Sequence, residues 1–276
     1  MTYIAASDGF RLFLSEEGSC KAPAILFAHE FGGDWRTWDA QVACFASEYR
    51  CLRYCARGFD PSEVPSEASS YGQARATADL RDIAEALDID CFHLVGCSMG
   101  SYTALMFALE EQQRIKTLTL VGCSSGPRND EERRRYRAAL HAERDLLASK
   151  GGEGAVEWFA SDPAYRRLAT KAPDRWRDYL DRLRRQSVHG ATCTLETLHW
   201  NRDSLFEQQT RLRRLRVPTL VLHGSEDHEL VRPTADLLAE TLSCVRCLEV
   251  PEAGHLVHIE DPELFNSELA QHLRGS

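Results

Sequence analysis

The sequence has no apolar run approaching the roughly 20 residues needed to cross a bilayer. Its opening stretch, "MTYIAASDGFRLFLSEEG", lacks a basic start followed by a long apolar segment, so a secretory signal is not expected. Basic residues are outnumbered: 33 Lys and Arg stand against 42 Asp and Glu, a net charge of −9. That balance argues against a general nucleic-acid binder, which usually shows a basic excess. There is no internal repeat and no low-complexity segment. Cys244 and Cys247 form a lone C-x-x-C, and the further ligands a zinc site needs at suitable spacing are missing. No metal site is therefore expected there.

Cysteine itself is not scarce. Ten are present, many inside apolar strand-like runs such as "YRCLRYCAR" and "DCFHLVGC". Reduced and buried, they act as small hydrophobes. With no export signal, a reducing cytoplasmic location is the expectation. Hydrophobic residues make up 43% of the 276, enough to bury a sizeable core.

Short apolar runs alternate with helical periodicity. "AILFAH" (24–29), "RCLRYCA" (50–56), "CFHLVG" (91–96), "IKTLTLVG" (115–122), "PTLVLHG" (218–224) and "RCLEV" read as strands. Helical patterns cover about 38–47, 71–88, 98–110, 232–242 and 261–273. Asp8-Gly9 marks a hairpin between the first two apolar runs. Alternation of this kind predicts an α/β fold with a mostly parallel sheet covered by helices on both faces. Between Pro127 and Arg216 the character changes. Residues 128–216 hold 20 Lys and Arg against 14 Asp and Glu, a net of +6 in an acidic chain. The pattern there is almost wholly helical, broken near Gly151-Gly152 and Gly154, and three of the five tryptophans (Trp158, Trp176, Trp200) fall in it. It reads as an inserted helical module.

Gly96-Cys97-Ser98-Met99-Gly100 is a G-x-S-x-G between a predicted strand and a predicted helix. A serine on so sharp a turn is held at the C-terminal edge of the sheet, and flanking side chains would collide at the bend. The N-terminus of the following helix favours negative charge developing beside it. A serine hydroxyl is a weak nucleophile without a base. His255, in "EAGHLVHIEDP", sits on the loop after the last strand and is the better candidate; His258 is read as packing or capping. A carboxylate is needed to fix the imidazole and stabilise its cation. Asp227, after "PTLVLHG", is the first choice, with Glu226 and Asp130 as lesser ones.

Five segments in order, "AHEFGGDWRTW", "RGFDPSE", "GCSMGS", "HGSEDHELVRP" and "AGHLVHIEDP", resemble the motifs of the α/β-hydrolase fold family over nearly the whole chain. The resemblance implies an eight-stranded sheet with the second strand antiparallel, a core of residues 1–126 and 217–276, and a helical cap of residues 127–216. It implies a serine hydrolase of an ester or lactone bond in a small molecule, with Ser98, Asp227 and His255 catalytic and Phe31 and Met99 N–H groups as the oxyanion hole. It leaves open C–C bond hydrolysis or a lyase step on the same triad, and a non-catalytic ligand-binding member of the fold. It implies a small-molecule substrate and no cofactor or metal; nucleic acid and membrane are not expected as partners on the charge and hydropathy above, and oligomeric state is not readable. Glu30 departs from the family, which usually has glycine there. The simplest reading turns Glu30 away from the oxyanion hole; the alternative places it in the pocket, where it contributes to specificity, or has the hole altered. Glu30, Cys97, Trp158 and Trp200 are candidate pocket residues. Ser101 is a smaller departure, expected to matter little.

Overall fold

A computed structural model describes residues 2–275. Eight strands form one sheet: β1 (Thr2–Ala5), β2 (Arg11–Glu17), β3 (Ala24–Ala28), β4 (Arg50–Tyr54), β5 (Phe92–Cys97), β6 (Ile115–Val121), β7 (Thr219–Gly224) and β8 (Val245–Val250). Their order is β1-β2-β4-β3-β5-β6-β7-β8. β2 runs antiparallel to both neighbours, and every pair from β4 to β8 is parallel. β3, β5 and β7 are buried at every residue, as strands covered on both faces must be.

Strand side chains alternate between faces, and the core divides accordingly. Ile25, Phe27, Val95, Val121 and Leu222 point to one side, where α1 (Asp39–Phe45) and α12 (Pro262–Arg274) cover them. Leu26, Ala28, Leu94, Leu120 and Val221 point to the other, under α2 (Gln73–Ala86), α3 (Met99–Glu111) and α10 (Val231–Thr241). Between β6 and β7 the chain is helical: α4 (Asp130–Lys150), α5 (Gly152–Ser161), α6 (Arg166–Lys171), α7 (Pro173–Arg185), α8 (Val188–Thr194), a π-helical turn Leu195–His199, and α9 (Gln209–Leu212). Asn129 caps α4 by accepting from the Glu132 N–H. Gly151, at φ 62°, ends it where the glycine pair was expected to. Leu147, Phe159, Leu168, Tyr179 and Leu183 of this insertion join the apolar cluster on the α1/α12 side. A last short helix, α11 (Val257–Glu260), has no counterpart in the sequence reading.

Because β3, β5, β6, β7 and β8 are parallel, the loops after them all open on one edge of the sheet. His29, Ser98, Gly122, Asp227 and His255 all lie on that edge.

Candidate active site

Ser98 occupies the turn between β5 and α3 at φ 52°, ψ −110°. A non-glycine residue there costs roughly 1–3 kcal/mol and is held only by its surroundings. Those surroundings are visible. A methyl group on Gly96 would overlap the Gly100 carbonyl, and one on Gly100 would overlap that of Ala28. The Ser98 N–H donates to Val121 O at 2.8 Å. Ser101 contributes more than expected: its hydroxyl lies 2.6 Å from Gly96 O and accepts from the Val121 N–H at 2.9 Å, fastening the turn to β6.

His255 Nδ1 and Asp227 Oδ1 are 2.6 Å apart, and both side chains are almost wholly buried. Asp227 Oδ1 also accepts from the His228 N–H at 2.7 Å. Burial acts to lower the pKa of His255, but the charge and hydrogen bond of Asp227 outweigh it and the net shift is upward. The backbone either side of the imidazole is clamped by Glu260, whose carboxylate accepts from Gly254 N–H at 2.8 Å and Leu256 N–H at 3.1 Å. Behind the ring lies Gly122, at φ 56°; a side chain there would press on the imidazole at 3.0 Å. The His255 N–H reaches into the helical insertion, donating to Ala164 O at 2.9 Å. The lesser acid candidates lie elsewhere. Glu226 is paired with Arg167, and Asp130 is 93% exposed at the start of α4.

Ser98 and His255 line the same cavity, of about 410 Å³, together with Phe31. No Ser98–His255 hydrogen bond is present among the described residues; such bonds often tighten only when substrate is seated. The Phe31 N–H and the Met99 N–H donate to no described backbone or side-chain acceptor. For Met99, first residue of α3, that follows from helix geometry, since no earlier turn offers a carbonyl.

The chain matches the family described as alpha/beta hydrolase fold over residues 23–262. It belongs to that family. A 3-oxoadipate enol-lactonase of Acinetobacter baylyi is 26% identical over 95% of this chain and 92% of its own. A provisionally named 2-succinyl-6-hydroxy-2,4-cyclohexadiene-1-carboxylate synthase of Bacillus subtilis is 26% identical over 98% and 97%. A solved hydrolase from Pseudomonas aeruginosa superposes with a TM-score of 0.82 at 27% identity, over 99% of this chain and 97% of that one.

In this alpha/beta hydrolase the loop after β3 takes an unusual residue without disturbing the cavity. His29 Nε2 accepts from the Ala56 N–H at 2.9 Å, so Nδ1 carries the proton and donates to Glu30 O at 2.7 Å. Glu30 turns beneath the loop, where its carboxylate accepts from Thr37 Oγ1 at 3.0 Å. Gly33 leaves the room; a methyl group there would overlap the Glu30 carboxylate. Burial pushes the Glu30 carboxyl up to about 7, against its own backbone N–H, Arg182 and Thr37. Of the four candidate pocket residues only Trp158 lines the cavity with Ser98. Glu30 is turned away as described. Cys97, the last residue of β5, points with Val95 into the α1/α12 core by strand alternation. Trp200 packs on His141, with ring centroids 4.5 Å apart, in a separate hollow of about 210 Å³.

His258 is packed on Trp38 at 4.3 Å and held down to about 3 by burial, as its structural reading required. His228, which the sequence reading passed over, lines the cavity with its ring 4.5 Å from that of His255. Among the described residues, two groups of side chains have metal-ligand proximity: Asp227, His228 and His255, and the buried Glu30, Cys97 and His258. In the first, His255 Nδ1 is already committed to Asp227. In the second, burial raises the Glu30 carboxyl and the Cys97 thiol, which disfavours the anions a metal would need. No helix among the described residues is long and apolar enough to cross a membrane.

Proposed function

We propose that this alpha/beta hydrolase cleaves an ester or lactone bond of a small molecule through Ser98, His255 and Asp227. Ser98 Oγ attacks the carbonyl carbon as His255 Nε2 takes its proton, and Asp227 stabilises the resulting imidazolium. The carbonyl oxygen gathers negative charge between the Phe31 and Met99 N–H groups; one such donor is worth about 3 kcal/mol of barrier. His255 then protonates the leaving oxygen, and water, activated by the same ring, cleaves the acyl-enzyme. The observation that carries this reading is the buried 2.6 Å His255–Asp227 bond on a cavity that also holds Ser98 and the Phe31 loop. The enol-lactonase relative supports it. Residues 127–216 act as the cap, supplying Trp158, Phe159 and Tyr165 to the cavity. Ten free thiols fit a reducing compartment, and the cytoplasm is the proposed location.

The test is p-nitrophenol release from short-chain p-nitrophenyl esters by the wild type and by Ser98→Ala. Release that the substitution abolishes supports the reading. No release from a folded wild type refutes ester cleavage. Activity confined to C–C or elimination substrates would then favour C–C bond hydrolysis or a lyase step on the same triad.

A further inference from the structure

Arg202 lies on the wall of the Ser98 cavity and is only 4% exposed. A buried cation is ordinarily matched by a carboxylate, because an uncompensated charge away from water is costly. Arg202 has no ion pair with any described residue; its partners are neutral. Nη1 donates to Ser124 Oγ at 3.0 Å and Nη2 to His199 Nδ1 at 3.2 Å. The guanidinium lies 4.8 Å from the centre of the Tyr102 ring, and Nε is buried without an acceptor.

The neighbouring groups repeat the pattern. A guanidinium only donates, so His199 Nδ1 must accept from it. The neutral ring then carries its proton on Nε2, which is buried without an acceptor. The Tyr136 hydroxyl is buried without a partner as well. Arg202, His199 and Tyr136 all line the cavity that holds Ser98, and the His199 ring sits 5.3 Å from that of Phe31. Here donors outnumber acceptors around a net positive charge.

The cavity's own acids do not answer that excess. Glu132 is engaged by Arg128, with Nη2 at 2.5 Å. Glu229 lies 3.9 Å from Arg135. Asp162 accepts from the Ala164 N–H and faces His228 at 3.7 Å. Glu143 is pushed up to about 8 by burial and by the charge of Asp162, which favours its neutral form.

We propose that Arg202, with His199 Nε2–H and the Tyr136 hydroxyl, binds a carboxylate of the substrate, so that the ester or lactone cleaved here carries a free acid group. A carboxylate has the flat pair of acceptors that a guanidinium fork matches. This rests on the hydrolase reading above and narrows it to anionic acyl compounds.

The experiment compares mono-p-nitrophenyl adipate with p-nitrophenyl hexanoate, two esters of equal chain length, one of which ends in a carboxylate. The wild type is expected to favour the adipate in kcat/KM by at least tenfold. Arg202→Gln is expected to reduce that ratio at least tenfold, mainly through KM, and Arg202→Lys to restore part of it. A wild-type ratio of one or less overturns the proposal while leaving ester hydrolysis intact. So does an unchanged ratio in an Arg202→Gln protein that melts cooperatively. A second arm needs no turnover and no change at Arg202: titration of Ser98→Ala with adipate by calorimetry. Saturable adipate binding that excess neutral hexanamide does not displace supports the carboxylate site even if no ester is cleaved. Absence of binding at millimolar adipate counts against it.

Discussion

Replacing Asp227 with asparagine removes one negative charge and little else. The amide oxygen can still accept from His255 Nδ1–H and the His228 N–H, which now share Asp227 Oδ1. The new NH₂ takes the place of Oδ2, a buried atom with no partner. What disappears is the attraction between carboxylate and imidazolium as Ser98 gives up its proton. Two unit charges about 4 Å apart at an effective dielectric near 20 attract by about 4 kcal/mol. At about 1.36 kcal/mol per decade, the expected loss in kcat is roughly a thousandfold. The pH profile supplies a second, independent sign. In the wild type Asp227 holds His255 above its ordinary 6.5, and only the unprotonated ring can act as base. Activity should therefore fall as pH drops through a value above 6.5. In Asp227→Asn burial is opposed far less, the ring titrates lower, and the acid limb should move to lower pH. Initial rates of p-nitrophenyl ester cleavage between about pH 5 and pH 9 measure both. A loss under tenfold in a folded variant, or an acid limb that stays where it was, would refute the assignment of Asp227 as the partner of the base.

Three further substitutions probe the supporting structure. Glu30→Gln removes a carboxyl whose folded pKa is raised from 4.5 to about 7, so its contribution to stability is present below pH 4.5 and lost as pH rises through 7. The variant should gain on the wild type between pH 5 and pH 8, by up to roughly 3 kcal/mol at 1.36 kcal/mol per unit; urea unfolding that shows the same difference at both pH values would count against the buried carboxyl. Glu260→Gln leaves one acceptor where two N–H groups flank His255, and kcat should fall roughly ten- to a hundredfold with a stability cost of about 1–3 kcal/mol; unchanged kcat would make the clamp irrelevant to the base. Gly100→Ala pushes a methyl group into the Ala28 carbonyl and should lower stability by more than about 2 kcal/mol, visible as a melting-temperature drop; a neutral result would mean that the turn can widen.

The parts of the site legible in the sequence are those whose cause is local. Strand, sharp turn and helix around Ser98 follow from two glycines and a change of period, and His255 and Asp227 each follow a strand that the pattern marks. What escaped depends on which loop lies against which. Gly122 matters because the turn after β6 backs the His255 ring, a proximity that no spacing encodes. Glu260 clamps its own loop, but only after α11 folds back. Cys97 neighbours Ser98 in sequence yet faces the opposite way, since strand alternation outranks adjacency. Trp200 follows the same π-helical turn that sends His199 into the cavity, and one step of rotation carries it outside. Arg202 stands out only once it is seen to make no ion pair with any described residue.

The bond from the His255 N–H to Ala164 O has a mechanical meaning. Gly254 is packed so closely that a methyl group would overlap the same carbonyl. His255 is thus mounted on the sheet through Asp227 and on the insertion through Ala164. An outward swing of the α5–α6 corner must break that mounting or drag the imidazole with it. If His255 is the base proposed above, displacing that corner and displacing the base are one motion rather than two.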